Sequence, residues 1–227
     1  TTQETLEQFT QAKVIYTHRV FTDHEVTVVG EGGYERLESD RLETEYGERG
    51  RGAVALQDEW FITDTLQVVA GGRVDLDTQF GAHPTPKVAF RYDPFEVLTL
   101  RAGYGMGFRA PDFKELHLEF NTPNSDIVIR GNPELDPETS HGFNVGAEVN
   151  VGTVTLAANG FRNDITNLIF VKPAATGVPG PPTDFEYQNV SEARTQGVEA
   201  TVSARIIPSL RVGVGYMFTD AQDLAEE

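Results

Sequence analysis

The chain has 227 residues, 39% of them hydrophobic, and 35 acidic against 18 basic side chains give a formal net charge of −17. That acidity argues against nucleic acid as a partner, because phosphate binding needs a basic footprint. The zero cysteine count excludes disulfides, thiolate metal sites and cysteine nucleophiles, and no apolar run reaches the roughly 18 residues that a membrane-spanning helix needs.

From the N-terminus, Thr1 to Lys13 lack a basic stretch followed by an apolar run, so no signal peptide is expected. Beyond it, alternation with a period of two dominates and predicts ten strands. They fall at about residues 9–20, 25–36, 48–62, 65–77, 85–93, 96–107, 138–150, 153–171, 184–207 and 210–219. The fourth is typical: Leu66, Val68, Ala70, Val74 and Leu76 share one face, and Gln67, Arg73 and Asp75 the other. Leu98, Leu100, Ala102 and Tyr104 alternate with Thr99, Arg101 and Gly103, and Val198, Ala200 and Val202 with Glu199, Thr201 and Ser203.

The connections alternate in length. Tight turns are expected near Phe21 to His24, Thr63 to Asp64, Asp93 to Phe95, Asn150 to Gly152 and Ile207 to Ser209. Each contains Asp, Asn, Gly, Pro or Ser, which favour turns by side-chain bonding, positive φ or a fixed φ. Longer polar loops are expected at Leu37 to Gly47, Asp77 to Thr85, Phe108 to Pro137 and Lys172 to Thr183, the last with a stiff Pro-rich tip at Gly177 to Pro182. Short turns on one side and long loops on the other characterise outer-membrane barrels. The polar face carries both charge signs at similar depth, in Arg73, Arg101, Glu148, Glu199 and Arg205. These are expected to face a polar lumen, with aromatic residues such as Trp60, Phe61, Tyr104 and Tyr216 near the strand ends. The expected class is all-β: an antiparallel up-and-down transmembrane β-barrel, read as a single partial domain over residues 1–227.

Four stretches carry a resemblance. Gln57-Asp58-Glu59-Trp60 with Ile62-Thr63-Asp64 and Gly71-Gly72-Arg73, then Gly105 to Leu116 (GMGFRAPDFKEL), Gly131 to Ser140 (GNPELDPETS) and Asn189 to Glu199 (NVSEARTQGVE) occur in this order. Together they resemble the TonB-dependent outer-membrane receptors. The resemblance implies a fold related to a 22-stranded barrel whose lumen is plugged. The ten strands would then be part of that larger barrel, with the plug domain and TonB box expected to lie outside this chain. It further implies uptake of a ferric siderophore or similar bulky nutrient, with outer-membrane lipid, that ligand and, through the plug, the TonB complex as partners.

No catalytic constellation is found. The five histidines lack zinc-ligand spacing, there is no nucleophile elbow or P-loop, and paired acids such as Glu43 with Glu45 and Asp75 with Asp77 read as solvated charges. No cofactor and no metal site are expected. Candidate ligand contacts lie in the long loop from Phe108 to Pro137: Arg109, Asp112, Lys114, His117, Glu119 and Arg130. His117 lies between the FRAP and NPEL boxes, where the resemblance places an axial histidine in haem receptors, so haem and cobalamin stand as alternative ligands. Two other readings remain: a small closed ten-stranded barrel acting as an adhesin or surface hydrolase, and a secreted soluble β-sandwich.

Overall fold

A computed structural model describes residues 4–42, 46–121, 127–174 and 183–224, with only the backbone of Ser191. The Glu43–Glu45 acid pair and the tip from Gly177 to Pro182 lie outside the described residues. Alternating side chains and turn residues build the long strands β1 (Thr5–Val20), β2 (His24–Ser39), β3 (Tyr46–Thr63), β4 (Leu66–Asp77), β5 (Gly81–Phe95) and β6 (Leu98–Arg109). A one-turn helix α1 (Phe113–His117) and two short strands, β7 (Glu119–Asn121) and β8 (Val128–Arg130), follow. The chain then forms β9 (Glu138–Val151), β10 (Val154–Pro173), β11 (Asp184–Ile207) and β12 (Leu210–Asp223).

All ten expected strands are present, and each long strand pairs antiparallel with its neighbour in the order β1-β2-β3-β4-β5-β6-β9-β10-β11-β12. The lower part of β11, from Ala193, pairs with β12, while its upper end pairs in parallel with β8. Among the described residues the sheet is open, with β1 paired only to β2. The ten strands therefore do not close on themselves.

Two expectations about the long loops change. The loop expected at Asp77 to Thr85 shrinks to three residues, because β5 begins at Gly81 and takes in Pro84 and Pro86. Both prolines pair towards β4, but pairing to β6 begins only at Lys87, opposite Gly105. Their missing N–H groups interrupt no ladder on the unpaired side. The His83 ring stacks on Phe108 at 4.0 Å near this gap. The loop from Phe108 to Pro137, expected only as a long polar loop, contains α1, β7 and β8.

The register assigns the two faces. One carries continuous apolar rows, such as Tyr92, Leu100, Ala147, Ala158, Ala200 and Tyr216, followed below by Leu98, Val149, Leu156, Val202 and Val214. Most of this face is exposed: Val214 is 73% accessible, and Val145, one row above these, 63%. A surface this apolar requires a non-aqueous neighbour. At the short-turn end Trp60 stacks on His24, whose Nδ1 lies 2.7 Å from Asp58. The opposite face bears charged pairs and is crossed by α1, so the small buried clusters sit there and not inside a two-layer sandwich. One cluster joins Leu37, Leu42 and Phe113; the other joins Leu116, Leu135 and Ile169.

Candidate functional site

The chain leaves β6 at Arg109, and Pro111 ends the ladder. Asp112 then starts α1 with a reciprocal cap. Its carboxylate accepts the Glu115 N–H at 2.8 Å, and the Glu115 carboxylate accepts the Asp112 N–H at 2.8 Å. The turn presents Phe113 and Leu116 inward, and Leu116 is completely buried.

Arg109 closes this segment onto β9. Its guanidinium donates to Glu138 at 2.7 and 2.6 Å and to Glu115 at 2.9 and 3.1 Å. Glu138 also accepts the Ile169 N–H at 2.8 Å. Burial by itself would raise the Glu138 carboxyl; the Arg109 hydrogen bonds and charge, with the Ile169 amide, overcome that and hold it below its ordinary range. This pair lies at the long-loop end, about 30 Å above the short turns for strands rising ~3.3 Å per residue at a tilt near 45°.

The GNPEL turn is tied to the same place. The Asn132 N–H donates to the Glu115 carbonyl at 2.8 Å, and the Gly131 N–H to the Leu118 carbonyl at 2.7 Å. Asn189 of β11 accepts the Asp136 N–H at 2.8 Å and donates to the Asp136 and Asn167 carbonyls at 2.9 and 2.7 Å. Three of the four motif stretches noted in the sequence thus meet in one knot.

That knot is fastened across the sheet to β2, β3 and β4. Arg49, on the inner face of β3, has no solvent exposure. It donates to the Pro111 carbonyl at 2.7 Å and lies 5.0 Å from the Phe113 ring centroid. Glu35 and Asp77 flank it at 3.4 and 3.6 Å, and Arg51 shares Glu35 at 2.8 Å. The segment continues to the β2–β3 connection, where Glu119 N–H donates to the Arg41 carbonyl at 2.7 Å and Leu42 bridges Leu118. The result is a strap over the polar face. Between strap and sheet lies a cavity of about 280 Å³ lined by Gln11, Glu31, Arg51, Arg73, Asp75 and Arg109, among others.

Of the candidate ligand contacts, Arg109 and Asp112 are brought together by Glu115. His117 ends α1 half-buried, while Lys114 and Glu119 are exposed. Arg130 stands on β8 in an ion pair with Asp184 at 3.3 Å. The five residues expected to face the lumen share the strapped face. Arg73 binds Asp75 at 2.8 Å and Glu31 at 3.5 Å, and Arg101 binds Glu148 at 3.3 Å. Glu199 and Arg205 are exposed there. Sequence reasoning passed over Arg49, Glu138 and Asn189. Parity alone placed Arg49 on the polar face, and nothing local marked it as the fastening. No group of three or more His, Cys, Asp or Glu suited to a metal occurs among the described residues. The arrangement offers paired charges and hydrogen-bonding groups for binding, around a strap that contacts β2, β3, β9, β10 and β11.

An open antiparallel sheet with one apolar face, one strapped polar face, short turns below and long connections above is a wall of an outer-membrane β-barrel. The chain belongs to the TonB-dependent receptor-like β-barrel family, whose model matches residues 8–226. It is 28% identical over 212 residues to the iron-regulated outer membrane virulence protein of Vibrio cholerae, covering 88% of this chain and 32% of that protein. It is 30% identical over 182 residues to the vitamin B12 transporter BtuB of Photobacterium profundum, covering 79% of this chain and 28% of that one. In fold it matches the siderophore receptor PirA from Pseudomonas aeruginosa with a TM-score of 0.84 at 18% identity, over 97% of this chain and 44% of that one. The chain thus spans about a third of the curated relatives it matches. It is an outer-membrane protein, and its apolar face is the lipid-facing one.

Proposed function

We propose that this chain is one side of the barrel of a ligand-gated importer that takes up a ferric siderophore or a similarly bulky, scarce nutrient. The observation that carries this reading is the strap formed by Arg109 to Asn121 and Ile127 to Leu135, which brings the mouth of the barrel inward over a charged wall. Binding there needs no bond-making chemistry, so we assign transport and not catalysis. The contacts proposed for ligand are Lys114, His117, Glu119 and Arg130 at the mouth, with Arg109 and Asp112 holding the strap that carries them. In this reading the polar wall, with Arg73, Arg101, Glu148, Glu199 and Arg205, faces a plug, and TonB acting on that plug releases the ligand. The relatives named for iron regulation and siderophore binding support this ligand class.

Uptake by the full receptor, expressed in cells lacking their own siderophore receptors, tests the proposal. Under iron limitation, radioactive iron should enter with ferric siderophores, and removal of TonB should abolish entry. Uptake of cobalamin alone, or a haem Soret shift lost in His117→Ala, would replace the siderophore reading. Entry unaffected by loss of TonB would overturn the import mechanism.

A further inference from the structure

Lys87, on the inner face of β5, is a cation without a counter-charge: it forms no ion pair among the described residues. The basic side chains near it are matched. Arg73 lies 2.8 Å from Asp75 and 3.5 Å from Glu31, and Lys13 lies 3.8 Å from Glu31. The rung of Lys87 runs through Gly71, Gln57 and Thr27 on one side and Gly105, Gly142 and Asn163 on the other, and holds no acid. On the rung below, Glu59 stands two strands away, roughly 10 Å along the sheet at ~4.8 Å per strand, and accepts the Gln67 amide. Both strands that flank Lys87 are in place, so its counter-charge comes from the lumen.

Space is kept open beside it. Above Lys87 the β5–β6 ladder stops, and a recess of about 300 Å³ is lined by Lys13, Gln57, Arg73, Thr85 and Lys87, among others. Towards β6 and β9 the wall is low. A Cβ added at Gly103, Gly107 or Gly146 would meet the side chains of Asn144, Ser140 and Asn159 at 2.8, 2.5 and 3.1 Å. These side chains therefore lie flat across the glycines and leave an uncharged, hydrogen-bonding floor from Arg109 at the strap down to Lys87. Counted from Leu98 at ~3.3 Å per residue and a tilt near 45°, Gly105, opposite Lys87, stands about 16 Å above the short turns. The apolar band of an outer-membrane barrel is about 25 Å tall. The ammonium thus faces the lumen within the depth of the membrane, where charged side chains mark ligand and ion pathways.

We propose that Lys87 is an anion-binding station on the path of the imported ligand, and that this ligand is an anionic iron complex. The recess takes one carboxylate or catecholate arm of such a complex. Lys87 meets the charge of that arm, and Gln57 and Thr85 supply hydrogen bonds. An ammonium on a flexible four-carbon stem follows a moving anion, which suits brief holding during passage. The proposal rests on the import reading above and adds the charge of the cargo to it.

The full receptor, expressed in cells lacking their own siderophore receptors, tests it with three radioactive iron probes: the trianionic tris-catecholate, the anionic citrate complex and the neutral tris-hydroxamate. An anionic complex should enter. Lys87→Gln should slow that entry at least fivefold while binding to energy-depleted cells is unchanged, and Lys87→Arg should restore it. Heat-modifiable migration on gels establishes that each variant is folded. Entry of none of the three removes the siderophore reading and the anion station with it. Entry of the neutral complex alone, or equal entry of the anionic complex with Lys87→Gln, overturns only the anion station. So does slowed entry accompanied by passage of a bulky antibiotic, which shows Lys87 anchoring the plug instead.

Discussion

Arg49 and Pro111 lie 62 residues apart in the chain, yet the buried guanidinium of one donates to the carbonyl of the other at 2.7 Å. Arg49 has Glu35 and Asp77 as its counter-charges and Phe113 against its face. Removing one partner from a buried ionic group leaves the others uncompensated, at about 3–5 kcal/mol. Arg49→Leu should therefore free the strap while the strands persist. Hydrogen exchange on the full receptor checks this: protection at the Leu116 and Leu118 amides should fall, and that of β9 and β10 should hold.

Gly47 and Phe113 form a second fastening. A Cβ at Gly47 would lie 2.5 Å from the Phe113 ring, closer than real contacts allow. Gly47→Ala should displace the ring and cost about 1–3 kcal/mol of strap stability, as overpacking does. Phe113→Ala in the same protein should remove the clash. In a double-mutant cycle on strap protection, the combined loss should be smaller than the sum of the single losses.

The Arg109–Glu138 pair makes strap closure depend on acid. The Glu138 carboxyl titrates below its ordinary value in the folded state. Its stabilisation is therefore fully present above the unfolded value, about 4.3, and is lost as pH falls through the lower folded value. Fluorine NMR of fluorinated Phe113 should show a constant signal from pH 7 to about pH 5 and a shift only below about pH 4.3. Glu138→Gln should give the shifted signal already at neutral pH. A transition above pH 5 in the unchanged protein would contradict this.

The two faces should respond oppositely to charge. Ala200 lies in an apolar row facing lipid, and Thr201 is its neighbour on the polar face. An arginine facing lipid near the bilayer midplane costs about 2–4 kcal/mol. Ala200→Arg should lose that much in urea unfolding of the receptor from lipid vesicles, while Thr201→Arg should lose under 1 kcal/mol, the arginine there remaining hydrated.

Strand positions, turn sides and the identity of each face were legible because they depend on local rules. Alternation assigns Leu66 and Arg73 to opposite faces before any strand is paired. Pro84 marked a position missed by the expected strand, which began at Thr85; β5 takes in both Pro84 and Pro86 because the strand lacks a partner on one side there. β7 and β8 were hidden because three-residue strands show no period. Arg109 and Asp112 were singled out by their position in the loop, but their engagement with Glu115 and Glu138 within the strap was not legible.

The sequence by itself determined that this chain is a wall of strands with a lipid face and a polar face, and which residues belong to each. A two-residue period needs no knowledge of distant contacts. Only the tertiary structure decided that FRAP, NPEL and Asn189 form one knot, that Arg49 fastens it across the sheet, and that Lys87 stands beside a recess without a counter-charge among the described residues. Those facts follow from register and from a loop folding back over strands three and four places away. Alternation assigns a side chain's face, but not the partner that will meet it there.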